Sequence, residues 1–110
     1  MNSTLLLVAA IAFELVATAS LKASDGFSRL GPSLLTVVGY GASFYLLALT
    51  LKRLEVGVVY AIWSGAGTAL MALIGWWLFD EGLTLVKLAS IGCIVIGVIG
   101  LNLGPDSLKA

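Results

Sequence analysis

Four long stretches of the chain carry almost no charge, and this pattern limits the possible folds more than any other feature of the sequence. Glu14 is the one charged residue in the first of them. The stretches are 1–21, 30–51, 56–79 and 88–104. A bilayer core of about 30 Å requires roughly 17 to 25 residues of helix, and the fourth stretch reaches that length with the residues before it. We therefore predict an all-α integral membrane protein. Its four transmembrane helices are expected at about 4–22, 32–52, 57–79 and 86–104.

The composition favours a membrane protein over a soluble one. Only 11% of the 110 residues are charged, whereas soluble domains carry about 25%. The connections at 22–32, 52–57 and 80–84 leave no room for a soluble domain, so we expect a single domain over 1–110. With no histidine and one cysteine, the chain has no metal site built from His and Cys clusters, and it has no run of Lys and Arg that would suggest nucleic acid.

The charges of the connections do not select an orientation in the membrane. Lys and Arg are enriched on the cytoplasmic side of membrane proteins, and with four helices each side carries three of them here. One side has Lys52, Arg53 and Lys109, and the other has Lys22, Arg29 and Lys87. Two interpretations stay open: a single orientation set by other features, or insertion of copies in both orientations, which can then pair antiparallel.

Glu14 lies in the middle of the first predicted helix. A carboxylate at this depth costs about 2.5 kcal/mol or more, and such residues usually mark a proton or ion pathway. The structural alternative is a hydrogen bond to a neighbouring helix or a pair with a Lys. The interiors of the four predicted helices contain no other Asp, Glu, Lys or Arg, and Lys22, at the end of the first helix, is about 12 Å further along the axis. These features favour a functional role for Glu14.

Small side chains share the helix face of Glu14. Ala10 lies four residues before it, and Ala17 and Thr18 lie three and four residues after it, which is the spacing of one helical stripe. A stripe of small residues allows a ligand to approach the carboxylate closely. It also allows two helices to pack tightly, and the sequence does not decide between these interpretations.

Aromatic residues lie at the depth of the predicted second and third helices. Tyr40 and Phe44 are one turn apart on the second helix, and Tyr60 and Trp63 are one turn apart within "YAIWSGAG" (60–67) on the third. Buried phenol and indole groups require polar partners, so we expect them to face a polar interior. A carboxylate surrounded by aromatic faces is suited to binding an organic cation.

These residues resemble the small multidrug resistance family over essentially the whole chain. The matching segments are "FELVATASLK" (13–22), "GFSRLGPS" (26–33), "GYGASFYLLALTLK" (39–52), "GVVYAIWSGAGT" (57–68) and "VIGVIGLNL" (95–103). The resemblance implies an exporter rather than an enzyme, without cofactor or metal, in a bacterial inner membrane. It implies an antiparallel, dual-topology homodimer that exchanges hydrophobic or quaternary ammonium cations for protons. Protons and cations would compete for Glu14 in the dimer.

The resemblance also assigns roles to further residues. It places Tyr60, Trp63, Tyr40 and Ser43 around the binding chamber. From their spacing and depth on the helices, we also expect Phe44, Ala10, Ala17 and Thr18 to belong to the binding site. Gly65 and Gly67 match glycines at the bend that switches access. A small-residue stripe on the fourth helix matches the family's dimerisation face: Ala89, Cys93, Gly97 and Gly100. Ser90 occupies a position at which many members of the family have glycine.

Other functions stay open at this point. The guanidinium-selective branch of the family typically has a tryptophan at the position of Ala17, so alanine favours the branch with broad specificity. A rotary-ring proteolipid subunit also buries one carboxylate, but Tyr60 and Trp63 and the four helices argue against it. An assembly subunit, in which Glu14 serves a partner's cation, predicts no pH-dependent ligand binding by the protein alone.

Overall fold

Four α-helices form the protein, as a computed structural model of residues 2–103 shows. They are α1 (Ser3–Ala23), α2 (Leu30–Thr50), α3 (Val56–Leu78) and α4 (Leu85–Leu103). No strand occurs between residues 2 and 103. The prediction of an all-α fold with four helices is confirmed.

Three of the four helices have the length and hydropathy of membrane spans. α1, α2 and α3 have 21, 21 and 23 residues, and their most apolar 18-residue windows have mean hydropathies of 2.1, 1.5 and 1.6. α4 is shorter, with 19 residues, and contains an apolar segment over Leu85–Leu101. The chain is therefore a multi-pass membrane protein, since helices of this length and hydropathy are suited to a surrounding of lipid.

The predicted helix bounds differ from the observed ones by one or two residues in the described part of the chain. The largest difference at a helix start is in α2, which begins at Leu30 instead of residue 32. Pro32 therefore lies inside the first turn, where a missing N–H removes no helical hydrogen bond. α2 also ends at Thr50, two residues early, because Leu51–Leu54 form a turn. The predicted end of the fourth helix, residue 104, lies outside the described residues.

A compact turn joins α1 to α2. The Ser24 side chain is buried; its hydroxyl donates to the carbonyl of Leu21 (2.6 Å) and accepts from the backbone N–H of Phe27 (3.0 Å). Asp25, Gly26 and Phe27 all have left-handed backbone angles, with φ of 50°, 69° and 65°. These bonds reverse the chain within a few residues, so that α1 and α2 pack as an antiparallel pair.

The chain divides after Lys52 into two compact units, one formed by α1 and α2 and one by α3 and α4. The expectation of a single domain stays a prediction. In the first unit, the two helices approach each other closely at Gly39. A Cβ placed on Gly39 would lie 2.8 Å from the Cβ of Ala17 and 3.3 Å from the carbonyl oxygen of Phe13. Only glycine allows the two backbones this proximity.

A glycine also allows close helix packing in the second unit. A Cβ on Gly65 of α3 would collide with the Cγ2 of Val98 and lie 2.9 Å from the Cγ2 of Ile94. Two β-branched side chains of α4 thus fill the space over Gly65, which is buried. Gly39 faces the Cα and Cβ of Ala17 and a backbone oxygen, whereas Gly65 faces the Cγ2 atoms of two side chains.

Candidate functional site

Glu14 lies at the middle of α1 and is half-buried. The hydroxyl of Thr18, one turn further along the helix, lies 3.4 Å from Glu14 Oε1 and donates to it. The same hydroxyl lies 2.7 Å from the hydroxyl of Tyr40 on α2. The three side chains form a continuous polar chain from one helix to the other, and the carboxylate is its acceptor end.

Tyr40 and Phe44 form the aromatic part of this unit. Their ring centroids are 5.8 Å apart with an interplanar angle of 21°, which is a stacked arrangement. Tyr40 is half-buried, whereas Phe44 is 58% exposed. The exposed ring of Phe44 therefore presents an open aromatic face on α2 beside Tyr40, which is linked to Glu14 through Thr18. Such a face can hold an organic cation.

Ser43, Ala10 and Ala17 lie in the contact between α1 and α2. Ser43 is buried and donates to the backbone carbonyl of Ala10 at 2.8 Å. Ala10 and Ala17 are 0% exposed. Tight helix packing explains both alanines in this structure, and contact of these three residues with a ligand stays a prediction.

The remaining aromatic residues of the predicted site belong to the second unit. Tyr60 is 73% exposed and Trp63 is half-buried, one turn apart on α3. Both side chains are accessible, as a ligand-binding role requires. That they share a chamber with Glu14 stays a prediction.

The two glycines assigned to the bend of α3 have different surroundings. Gly65 is buried under Ile94 and Val98, whereas a Cβ on Gly67 would meet no atom within 4 Å. Gly65 therefore has a packing role that the sequence did not reveal. Gly67 has no such packing contact in this unit. Its role at a bend of α3 stays a prediction.

The small-residue stripe of α4 is exposed along its whole length. It comprises Ala89, Cys93, Gly97 and Gly100, and Ser90 beside it is exposed as well. A groove of about 350 Å³ runs between α3 and α4, and Ser64 and Thr68 supply its hydroxyls. An exposed stripe of small residues on a membrane helix is suited to close helix–helix contact.

Sequence reasoning missed two features of the first unit. It did not identify Gly39 as a point of close helix contact, although "GYG" (39–41) places two glycines around Tyr40. It also did not connect Thr18 with Tyr40, since the relative register of two helices is not encoded in the periodicity of either one.

The family model and the curated proteins that match this chain agree with one another. The family model described as Small Multidrug Resistance protein matches residues 2–94. Among curated proteins, the chain is 46% identical over 103 residues to the quaternary ammonium compound-resistance protein QacE of Escherichia coli, covering 94% of each chain. It is 50% identical over 97 residues to the multidrug resistance protein EbrA of Bacillus licheniformis, covering 88% of this chain and 92% of that protein. A putative ethidium bromide resistance protein of Escherichia coli is 43% identical over 95 residues, covering 86% and 83%.

Proposed function

Because this chain belongs to the small multidrug resistance family, we propose that it exports hydrophobic and quaternary ammonium cations in exchange for protons, with Glu14 as the site that both occupy in turn. The observation that carries the proposal is the surroundings of Glu14. A carboxylate within a membrane helix receives a hydrogen bond from Thr18, whose hydroxyl also contacts that of Tyr40, and the Tyr40 ring stacks on Phe44. Charge and aromatic faces together favour an organic cation.

The choice of substrate class is supported by the relatives. Their names refer to quaternary ammonium compounds and to ethidium bromide, which are permanent organic cations with apolar substituents. Phe44, at 58% exposure, offers an apolar face for such substituents, and Tyr60 and Trp63 on α3 would add further faces. Ala17, in place of the tryptophan typical of guanidinium exporters, agrees with this choice.

Proton coupling would follow from pairing of the carboxylates. In a homodimer, two Glu14 side chains share one chamber, and two negative charges close together in a desolvated site repel each other. Either a proton or a cation relieves that repulsion, so the two ligands compete for one pair of charges. The two titrations belong to the pair and not to a single residue.

The dimer is proposed to be antiparallel. The exposed stripe of α4, from Ala89 to Gly100, provides a surface on which a second copy can pack closely. The equal numbers of Lys and Arg on the two sides allow copies to insert in both orientations. A bend of α3 at Gly67, with Gly65 packed under α4, would then exchange the open side.

Solid-supported membrane electrophysiology on the reconstituted protein tests the proposal. A proton-gradient-driven current is expected with a quaternary ammonium substrate, and a smaller one with guanidinium. Glu14→Gln should abolish the current. Glu55→Gln makes the same chemical change at an exposed residue before α3 and should leave the current intact. Undiminished transport by Glu14→Gln would refute the assignment, and a larger guanidinium response would favour the guanidinium-selective alternative.

A further inference from the structure

The hydroxyl of Thr18 connects two helices at the functional carboxylate. It lies 3.4 Å from Glu14 Oε1 on its own helix and 2.7 Å from the hydroxyl of Tyr40 on α2. Because Thr18 follows Glu14 by one turn, both side chains lie on the same face of α1. Tyr40 does not need to reach Glu14 itself, since Thr18 lies between them.

The direction of these hydrogen bonds follows from the number of protons. A threonine hydroxyl has one proton, and an ionised carboxylate only accepts. While Glu14 is ionised, the Thr18 proton goes to the carboxylate, so Tyr40 must donate to Thr18. The chain then runs from Tyr40 through Thr18 to Glu14, and each bond polarises the next.

The position of Tyr40 is fixed by its neighbours. Its ring stacks on Phe44, and the adjacent Gly39 lies against Ala17. One turn away, Ser43 donates to the Ala10 carbonyl at 2.8 Å. These contacts leave the phenol little freedom to move away from Thr18.

No formal charge competes with this chain in the helix pair. α2 contains no Asp, Glu, Lys or Arg, and its titratable side chains are Tyr40 and Tyr45. Tyr45 is 66% exposed. The other charged residue of α1 is Lys22, about two turns beyond Glu14. Tyr40 is therefore the α2 group that acts on the carboxylate.

We propose that Thr18 is a positioning residue through which Tyr40 stabilises the ionised state of Glu14, and that it thereby sets the pH at which protons and cations exchange. The inference rests on the proposed function and adds to it the hydrogen bonds that adjust its pH dependence. When a proton neutralises Glu14, the carboxyl group no longer requires the Thr18 proton. The hydroxyl can then turn toward Tyr40, so the chain reverses with the charge of the site.

Ethidium binding to the purified protein, measured by fluorescence between pH 5 and 9, tests the inference. Removing a hydrogen bond to the ionised form favours protonation, so Thr18→Val should shift the pH of half-maximal binding upward, by about 0.5 to 1 unit. Thr18→Ser keeps the hydroxyl and should have the same midpoint as the wild type. If Thr18→Val does not assemble, Thr18→Ala removes the same hydroxyl and takes its place.

Three further variants separate this role from a merely structural one. Thr36→Val is the matched control: it removes a hydroxyl that bonds within α2, to the Pro32 carbonyl, and it should leave the midpoint unchanged. Tyr40→Phe should shift the midpoint upward as well, and the double variant with Thr18→Val should shift no further than Thr18→Val alone. This non-additivity is expected because Tyr40 acts through Thr18.

The outcomes distinguish the inference from the function on which it rests. Binding of ethidium by the wild type that does not depend on pH would refute the proposed function and this inference with it. pH-dependent binding with the same midpoint in Thr18→Val and in the wild type would refute the inference alone. Additive shifts in the double variant would also refute it.

Discussion

Replacing Gly39 with alanine tests how closely α1 and α2 must approach for the site to form. The new Cβ would lie 2.8 Å from the Cβ of Ala17, whereas carbon atoms prefer about 3.5–4.0 Å. The helices would have to separate by about 1 Å, because the opposing atoms belong to a backbone and a Cβ and cannot rotate away. Overpacking of this kind costs about 1–3 kcal/mol.

The same separation should damage the site. The hydroxyls of Thr18 and Tyr40 are 2.7 Å apart, and an increase of about 1 Å would exceed hydrogen-bonding distance. We therefore expect Gly39→Ala to lower both the free energy of unfolding and the affinity for ethidium.

The matched control is Gly41→Ala, two residues along the same helix, where a Cβ would meet no atom within 4 Å. It should be neutral or slightly stabilising, because alanine favours the helix by up to about 1 kcal/mol. Unfolding by SDS in mixed micelles, followed by circular dichroism, measures the stabilities. Equal stabilities of Gly39→Ala and the wild type would refute the argument, as would equal losses in the two variants.

Further substitutions test individual positions in the two helix pairs. Gly65→Ala should destabilise the α3–α4 pair by about 1–3 kcal/mol, since the opposing methyls belong to Val98 and Ile94, whose β-branched side chains have little rotamer freedom in a helix. Gly67→Ala should retain its stability and its ethidium binding but transport more slowly; identical behaviour of the two variants in unfolding and flux assays would contradict this distinction. Ser43→Ala should lose about 0.5–1.5 kcal/mol in SDS unfolding through its bond to the Ala10 carbonyl, and an unchanged midpoint would argue against a structural role. Ser24→Ala leaves the Phe27 N–H without its acceptor and should cost about 1–3 kcal/mol. Ser28→Ala, at an exposed residue whose hydroxyl donates to the Ser24 carbonyl at 3.2 Å, should cost less; equal losses in thermal denaturation would show that the turn does not depend on Ser24.

The sequence predicted the helices because each one is a long uncharged segment, and the bilayer allows few other conformations for such segments. The start of α2 was placed two residues late, since Pro32 suggested the first helical position and in fact lies within the first turn. Helix ends depend on local backbone geometry, which composition does not specify.

The contacts around Glu14 were only partly predictable. The isolated carboxylate and the aromatic residues were evident from depth and spacing. The link from Tyr40 through Thr18 depends on the register between two helices, and the sequence does not contain that register. Gly39 and Gly41 are likewise equivalent in the sequence, and only the structure shows that one of them is in contact with α1.

Proton release on cation binding tests the central claim most directly. Ethidium is added to the purified protein in weak buffer, and the released protons are measured against the amount of ethidium bound. If protons and cations occupy Glu14 in turn, the wild type should release protons as ethidium binds, and Glu14→Gln should neither release protons nor bind the dye with comparable affinity. Ethidium binding by the wild type with no proton release across the neutral pH range, or equal release by Glu14→Gln, would contradict the account.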